Sequence, residues 1–391
     1  MNNLYKKLIG LALLIVFATT LSACGSYNGY YYDLVGAFET ENQVWFWTKN
    51  VVRTDGKYNE LVEKLNEELT SLDNKFNIQD RGDGIVTDLM KVNNNAGIAP
   101  VVVDKEVIDV IKLAIEVGLE TKVEGTVLYD ITIAPLWNLW DFPGKSYLPL
   151  LQTSDIPSEE DIANYLPLVD YKKIVINEED STVFLSEANM GIDLGSIVKG
   201  YAADKLKAIM LDYNIEKAII DIGRNILLIG SAMDKSGNDV PFTVTPVTPY
   251  VSIYHPRYDE LETFAQIKVQ DQTIVTSGSY EKYIKDEDGN EYHHILDPRT
   301  GYPFTNNVVS LTVITDESIK GDAYSTALFS VGIEKGMEIV KSKEGLETVW
   351  VIRNNDKYEV YISEGLDGNF KLNPTVEEIG FVYKGVYKWE H

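Results

Sequence analysis

Residues 196–229 read SIVKGYAADKLKAIMLDYNIEKAIIDIGRNILLI, and this stretch has the pattern of a helix followed by two buried strands. Residues 196–211 carry apolar side chains at helical spacing after a glycine turn. Residues 218–222 and 226–229 are short apolar runs that flank Gly223, as in buried strands. Helices and strands alternate along the rest of the chain without a clean linker. We therefore expect a mixed α/β (α+β) fold, built as one large domain with two lobes.

Other segments extend this alternation in both directions. Hydrophobic periodicity predicts further helices at 58–72, 105–120 and 323–331, with an acidic surface helix beginning within 154–165. β-rich runs predict strands at 42–50, 173–176, 182–185, 308–314, 348–352 and 358–362. Residues 276–280 (TSGSY) are interpreted as a hydroxyl-rich turn, and residues 285–290 as a polar loop.

Composition excludes several classes of protein. The chain has 391 residues, of which 45% are hydrophobic, and only one is cysteine. It is therefore neither collagen-like, nor a disulfide framework, nor wholly disordered. The 60 acidic residues outnumber the 35 basic ones, for a net charge of −25. Because so acidic a surface repels nucleic-acid phosphate, we expect no DNA or RNA partner.

The amino terminus has the pattern of an export signal. Lys6 and Lys7 precede an uncharged run of about a dozen residues and then small residues before Cys24. Plain secretion and a retained membrane helix are the alternatives, although Thr19 and Thr20 interrupt the run well short of a bilayer span. Residues 21–24 (LSAC) resemble the bacterial lipobox, in which the cysteine thiol receives a diacylglycerol, with acyl chains such as palmitate, before cleavage. We thus expect a signal peptide at 1–23, a lipidated tether at 24–36 and a domain at 37–391.

One candidate site surrounds the start of the helix at 196–211. A glycine turn that opens a helix leaves backbone N–H groups available to phosphate oxygens, and Lys199 adds a positive charge beside Gly195. The segment is neither a dinucleotide fingerprint nor a Walker loop. The alternative is a tight turn with a surface lysine.

A second candidate site is residues 292–303 (YHHILDPRTGYP), which hold two of the four histidines. The Asp-Pro and Thr-Gly turns predict a rigid loop. His294 and Asp297 could act as a general base and the group that orients it. The alternative is a polar hairpin with an exposed histidine pair. Metal binding by the histidines alone is disfavoured, since no third nitrogen or sulfur ligand lies at a suitable spacing.

A third candidate site pairs Asp322 with Thr326. In a helix these residues lie on one face, four positions apart. A carboxylate and a hydroxyl oxygen suit a hard cation such as Mg²⁺, which takes its remaining ligands from water and substrate phosphate. Asp322 could instead be an ordinary helix N-cap.

Taken together, these segments resemble the FAD:protein FMN transferase family, formerly called thiamine-biosynthesis lipoproteins. The resemblance spans roughly residues 37–365 and is most specific between Thr276 and Thr326. The matching features, in chain order, are the lipobox, residues 89–93, residues 129–132 with Pro135 and Trp140, and residues 193–204, 222–226, 276–280 and 294–303, with Asp322 and Thr326 last.

The resemblance implies an activity and a set of roles. The enzyme would transfer the FMN half of FAD to a Thr or Ser hydroxyl on another exported protein, with release of AMP. Mg²⁺ would be held by Asp322, Thr326 and a backbone carbonyl near Ser196. His294 would deprotonate the acceptor hydroxyl, with Asp297 shaping the loop. The nucleotide would contact Gly195, Lys199, Asp204, Asn225, Ser277 and Tyr280.

The chain departs from the family pattern at a few positions. Gly223-Arg224-Asn225 stands where members commonly have Gly-Gly-Asn, so a bulky cation replaces a glycine. Arg224 could clash with the nucleotide or pair with its phosphate. Residues 38–40 (FET) replace a common Met-Gly-Thr, and residues 237–256 lack the usual tryptophan.

Two other functions use the same residues. Water in place of the protein hydroxyl would make the chain an FAD pyrophosphatase that forms FMN and AMP. A chain that kept the fold without turnover would be a flavin-binding lipoprotein. All three functions place the protein outside the cytoplasm, lipid-anchored to the cell membrane through Cys24.

Overall fold

The computed structural model describes residues 27–48, 57–142, 156–251 and 255–389. Cys24 and the predicted signal peptide lie outside the described residues. The helices are α1 (Lys57–Phe76), α2 (Asp88–Asn94), α3 (Lys105–Glu120), α4 (Ala134–Trp140), α5 (Glu159–Tyr165), α6 (Val198–Asp212), α7 (Tyr258–Leu261) and α8 (Ser318–Ser342). In the part of the chain so described, no helix has the length and apolar character needed to cross a bilayer.

Strands make up most of the remaining regular structure. In chain order they are β1 (Asn28–Asp33), β2 (Asn42–Thr48), β3 (Val101–Val102), β4 (Ile174–Asn177), β5 (Thr182–Leu185), β6 (Ala218–Ile222), β7 (Asn225–Ile229), β8 (Ala232–Met233), β9 (Asp239–Val240), β10 (Phe242–Val244), β11 (Ala265–Val269), β12 (Thr273–Gly278), β13 (Tyr283–Lys285), β14 (Glu291–His293), β15 (Val308–Thr315), β16 (Glu347–Asn354), β17 (Lys357–Ile362), β18 (Phe370–Leu372) and β19 (Phe381–Val386).

A nine-stranded sheet organises the molecule. Its order is β1–β2–β6–β7–β12–β15–β16–β17–β19, and neighbours are antiparallel except for the parallel pair β17–β19. The two longest strands, β15 and β16, lie side by side and are largely buried. Strands buried on both faces need a layer of structure on each side.

Helices cover one face of this sheet. Helices α6 and α8 contact each other as well as the strands β6, β7, β12 and β15. The apolar stripe of α1 (Leu61, Leu65, Leu69 and Leu72) is fully buried in the same core. Because these leucines repeat at helical spacing, one face of α1 is apolar and packs inward.

The opposite face is covered by a smaller sheet, β10–β11–β18, which forms a second core. The predicted mixed α/β fold is thus confirmed, with helices on one side of the large sheet and strands on the other.

Two sequence predictions about local structure are wrong, and a third is correct but too short. The tether predicted at 24–36 includes strand β1, which pairs with β2 and so belongs to the sheet. Residues 273–278 form β12 rather than a turn, because β7 and β15 supply backbone partners on both sides. The helix predicted at 323–331 begins at Ser318 and continues to Ser342, with a kink at Gly332.

Candidate active site

Most of the predicted site residues surround one cavity of about 320 Å³. It lies where the start of α6, the first turns of α8, the end of β12 and the β6–β7 turn come together. Of the residues predicted from sequence, the lining includes Gly195, Ser196, Lys199, Asn225, Ser277, His294, Asp322 and Thr326.

Asp322 is the buried acid of this cavity, with a side chain only 4% exposed. It lies inside α8, whose N-cap position is Glu317, so the N-cap interpretation of Asp322 is wrong. Its Oδ2 accepts a hydrogen bond from the backbone nitrogen of Gly200 at 3.0 Å. Its Oδ1 lies 3.6 Å from Nζ of Lys199.

Hydroxyl oxygens extend from Asp322 toward β12. Thr326 is one turn further along α8, and its Oγ1 lies 3.4 Å from Oγ of Ser277. The same Ser277 oxygen lies 2.8 Å from Oγ of Ser325. Within the described ranges, no group of three or more His, Cys, Asp or Glu side chains could hold a metal ion. A donor set of one carboxylate with neutral oxygens fits a hard cation that keeps water or substrate ligands, and does not fit zinc.

The turn before α6 is already hydrogen-bonded. The helix begins at Val198, slightly later than predicted. The backbone nitrogen of Gly195 donates to Oδ1 of Asp193 at 2.7 Å, so this N–H group is not free for a ligand. Lys199 donates from Nζ to the backbone oxygen of Gly195 at 2.7 Å. Lys199 therefore turns inward to the cavity, and the surface-lysine interpretation is wrong.

His294 is held by the backbone of Lys282. Nδ1 of His294 lies 3.1 Å from the carbonyl oxygen of Lys282. Because a carbonyl can only accept, Nδ1 carries the proton and Nε2 keeps its lone pair. Burial, together with the charge of Lys282, lowers the pKa of His294 to about 3. The imidazole is consequently neutral at physiological pH.

Asp297 does not orient His294. Its buried carboxylate accepts hydrogen bonds from Nε and Nη2 of Arg299, the latter at 2.7 Å, and from the Arg299 backbone nitrogen at 2.8 Å. Its backbone oxygen accepts from Gly301 N at 2.8 Å. The predicted base–orienter pair is therefore wrong, because Arg299 occupies the carboxylate. Asp297 instead fixes the loop that carries His294.

The histidines do not form an exposed pair either. Nε2 of His293 lies 2.9 Å from the backbone oxygen of Phe304, and its ring meets Phe329 edge-on. Burial lowers the pKa of His293 to about 4. His293 is the last residue of β14 and packs toward the core, while the next residue, His294, lines the cavity.

Two predicted nucleotide contacts do not line the cavity. Asp204 accepts hydrogen bonds from the backbone nitrogens of Ser318 at 3.0 Å and Ile319 at 2.8 Å. It thereby caps α8, whose first N–H groups need acceptors. Tyr280 is partly buried and packs against the core on the other face of the sheet. In this structure neither residue is part of the cavity lining, and their contact with the nucleotide stays a prediction.

Asn225 fits a binding role. It is fully buried and lines the cavity. Its Oδ1 accepts from Ser318 Oγ at 2.6 Å, whereas its Nδ2 has no partner among the described residues. A buried amide donor without a partner is costly, and a ligand oxygen would satisfy it.

Several lining residues escaped the sequence analysis, among them residues 77–79, Glu281 and Lys282. Residues 77–79 directly follow α1. They reach the cavity because α1 packs against the other helices of this layer. Lys282 lies with Nζ 5.9 Å from the ring centroid of Trp137. No spacing or composition marks these positions, because only tertiary packing brings them to the cavity.

A model described as the ApbE family matches residues 38–350 of this sequence. The chain belongs to the ApbE family. Among its curated relatives is the FAD:protein FMN transferase of Klebsiella pneumoniae (strain 342), 32% identical over 68% of this chain and 76% of the relative. The FAD:protein FMN transferase of Escherichia coli (strain K12) is 28% identical over 81% of this chain and 84% of the relative.

Solved structures of ApbE proteins share the fold. The flavin transferase ApbE from Vibrio cholerae has a TM-score of 0.70 at 22% identity, covering 88% of this chain and 100% of that one. The ApbE protein from Thermotoga maritima has a TM-score of 0.66 at 25% identity, covering 90% and 99%. The predicted family is thus confirmed, as is the prediction of a transferase enzyme.

Proposed function

We propose that this chain is a Mg²⁺-dependent FAD:protein FMN transferase that modifies a Thr or Ser hydroxyl of an exported protein and releases AMP. One observation carries the proposal. A single cavity holds a neutral histidine (His294), a cation (Lys199) and a buried carboxylate with adjacent hydroxyls (Asp322 and Thr326). Phosphoryl transfer needs little beyond such positioning and charge neutralisation.

The proton transfer is assigned to His294. Its Nε2 accepts the proton of the acceptor hydroxyl as that oxygen attacks the phosphorus of the FMN half. The anhydride P–O bond breaks, and the electron pair leaves with AMP. A pKa of about 3 makes the free imidazole a weak base. The negative charge of a bound diphosphate favours the imidazolium and strengthens the base when substrate is present.

The remaining groups neutralise charge. Lys199 would turn from Asp322 to the diphosphate, and the Nδ2 of Asn225 would donate to a substrate oxygen. Asp322, Thr326 and the backbone oxygen of Ser196 would hold Mg²⁺. When bound, Mg²⁺ lowers the cost of the charge that develops on the phosphate oxygens.

Mass spectrometry tests the reaction directly. The chain from residue 25 onward is incubated with FAD, Mg²⁺ and a flavinylatable acceptor domain. We expect the acceptor to gain the mass of FMN, the gain to be lost with EDTA, and His294→Ala to abolish it. AMP released at the full rate without acceptor would establish the pyrophosphatase instead. FAD binding with no AMP in any condition would establish a flavin-binding protein without turnover.

We also propose that the protein is lipid-anchored through Cys24 outside the cytoplasm, with an exported acceptor. The lipobox at 21–24 supports this proposal. Cells expressing the full chain are fed an alkyne-labelled fatty acid, and the label is expected in the membrane fraction of wild type but not of Cys24→Ser. Equal labelling of both proteins would overturn the proposal.

A further inference from the structure

Arg224 has an unusual backbone conformation at the edge of the cavity. It follows Gly223 in the two-residue turn between β6 and β7, with Ile222 and Asn225 paired across it. Both turn residues have positive φ, 55° for Gly223 and 73° for Arg224. Such a turn favours glycine or asparagine, and an arginine here is strained. Because strained backbone is retained mainly at functional sites, we expect the Arg224 side chain to have a role in the cavity.

The neighbouring residues hold this turn in place. The backbone nitrogen of Arg224 donates to Oδ1 of Asp221 at 2.8 Å. A Cβ at Gly223 would lie 2.5 Å from the side chain of Thr40, so the turn is packed tightly against Thr40. The position of Arg224 at the cavity is therefore fixed by both sides of the turn.

Among the described residues, Glu281 is the acid that forms an ion pair with the guanidinium. Nη1 of Arg224 lies 3.4 Å from Oε1 of Glu281, and both residues line the cavity. The side chains are 40% and 26% exposed. A monodentate contact at this length leaves most of the five guanidinium donors available.

Arg224 lines the same cavity as the assigned catalytic groups. In the sheet, Asn225 pairs with Val275, so Arg224 is next to the end of β12 that carries Ser277. Ser277 in turn contacts Thr326 on α8. Lys199 enters the same cavity from α6, a different element. Together with Lys282, these cations approach the cavity from separate elements, which suits a ligand that carries two phosphates.

We propose that Arg224 is a phosphate-binding residue for the diphosphate of FAD, and that Glu281 is its counter-ion until substrate arrives. This inference rests on the proposed function. A guanidinium binds phosphate oxygens through paired hydrogen bonds, which a carboxylate 3.4 Å from one nitrogen does not match. Substrate therefore displaces Glu281, and Glu281 competes with it.

Equilibrium binding at fixed ionic strength tests the proposal with three probes: FAD, ADP and riboflavin, the last without phosphate. Arg224→Met is expected to weaken FAD and ADP binding by about 10- to 100-fold and leave riboflavin unchanged. Glu281→Gln is expected to tighten FAD binding by about 2- to 5-fold. Arg257→Met is the matched control, because Arg257 is also 40% exposed and ion-paired but is not part of the cavity.

Arg224→Gly separates a binding role from a structural one. Glycine relieves the strain of the turn, so the urea midpoint should rise or stay constant while FAD binding weakens as in Arg224→Met. Unchanged FAD and ADP affinity in both variants, with wild type binding FAD normally, would overturn this inference and leave the proposed function intact. A wild-type chain that binds neither FAD nor ADP would overturn both.

Discussion

The backbone nitrogen of Gly200 donates a hydrogen bond to Oδ2 of Asp322 at 3.0 Å, across 122 residues of sequence. This contact joins α6 to α8 beside the cavity. It satisfies one carboxylate oxygen of Asp322 and leaves Oδ1 near Lys199. The helix contact and the polar site are therefore one structure, and a change at Gly200 should affect both.

Replacement of Gly200 by alanine is expected to destabilise the protein. A Cβ at this position would lie 2.1 Å from the backbone oxygen of Ser318, which cannot move without shifting α8. We expect Gly200→Ala to lower the free energy of unfolding by about 1–3 kcal/mol. Urea denaturation measures this. Gly36→Ala is the control, since its Cβ would meet nothing closer than 3.8 Å. Equal stability of the two variants would show that α6 and α8 are not in contact here.

Removal of the charge at Asp322 should abolish turnover without unfolding the protein. Asparagine keeps an oxygen that can accept from Gly200 but loses the charge that the cation needs. We expect Asp322→Asn to slow FMN transfer by at least about 100-fold. Titration calorimetry with Mg²⁺ should show weaker binding as well. Asp109→Asn, at an exposed position paired with Lys105, should match wild type. Full activity of Asp322→Asn would refute the metal assignment.

The pH dependence of kcat/KM should not show the fall in activity near pH 6.5 that an ordinary histidine base causes. Since kcat/KM reports the free enzyme, a His294 pKa of about 3 keeps the base neutral across pH 5–8. An unperturbed histidine would lose activity below about pH 6.5. The rate of FMN transfer at low FAD concentration, measured from pH 5 to 8, tests this. A limb near pH 6.5 that disappears in His294→Gln would contradict the depressed pKa.

His294 should also make the folded state sensitive to acid. The unfolded chain binds a proton at this residue near pH 6.5, whereas the folded chain does so only near pH 3. Stability is therefore lost as the pH falls through this interval. The free energy of unfolding of His294→Gln minus that of wild type should therefore be about 1–2 kcal/mol larger at pH 5 than at pH 8. Urea midpoints of both proteins at the two pH values measure this change. If the stability difference between variant and wild type is the same at pH 5 and pH 8, His294 does not make the folded state acid-sensitive.

Asp297 should matter for the loop rather than for proton transfer. Asp297→Asn breaks the ion pair with the Arg299 side chain. The asparagine oxygen still accepts a hydrogen bond from the backbone nitrogen of Arg299. We expect a fall in the rate of less than about 10-fold and an unchanged pH profile. His294→Gln should lose far more. If Asp297→Asn were as slow as His294→Gln, the carboxylate would be part of the catalytic machinery after all.

Sequence periodicity was sufficient to predict elements that pack through one regular apolar face. The leucines of α1 repeat at helical spacing, and the apolar runs at 218–222 and 226–229 are buried strands, as predicted. It failed where a partner from elsewhere supplies the hydrogen bonds. Strand β12 contains Thr276, Ser277 and Gly278, a turn-like composition, yet β7 and β15 pair with it on both sides.

In the candidate site, too, one part could be predicted from the sequence and another part could not. Residue chemistry was enough to select Asp322, Thr326, Lys199 and His294 as candidates, because carboxylate, hydroxyl, ammonium and imidazole have their properties in any fold, and all four line the cavity. The partner of each group was decided by tertiary structure. Asp297 pairs with Arg299 instead of His294, and Asp204 caps α8 instead of lining the cavity, because hydrogen bonds depend on distances of about 3 Å that only packing sets.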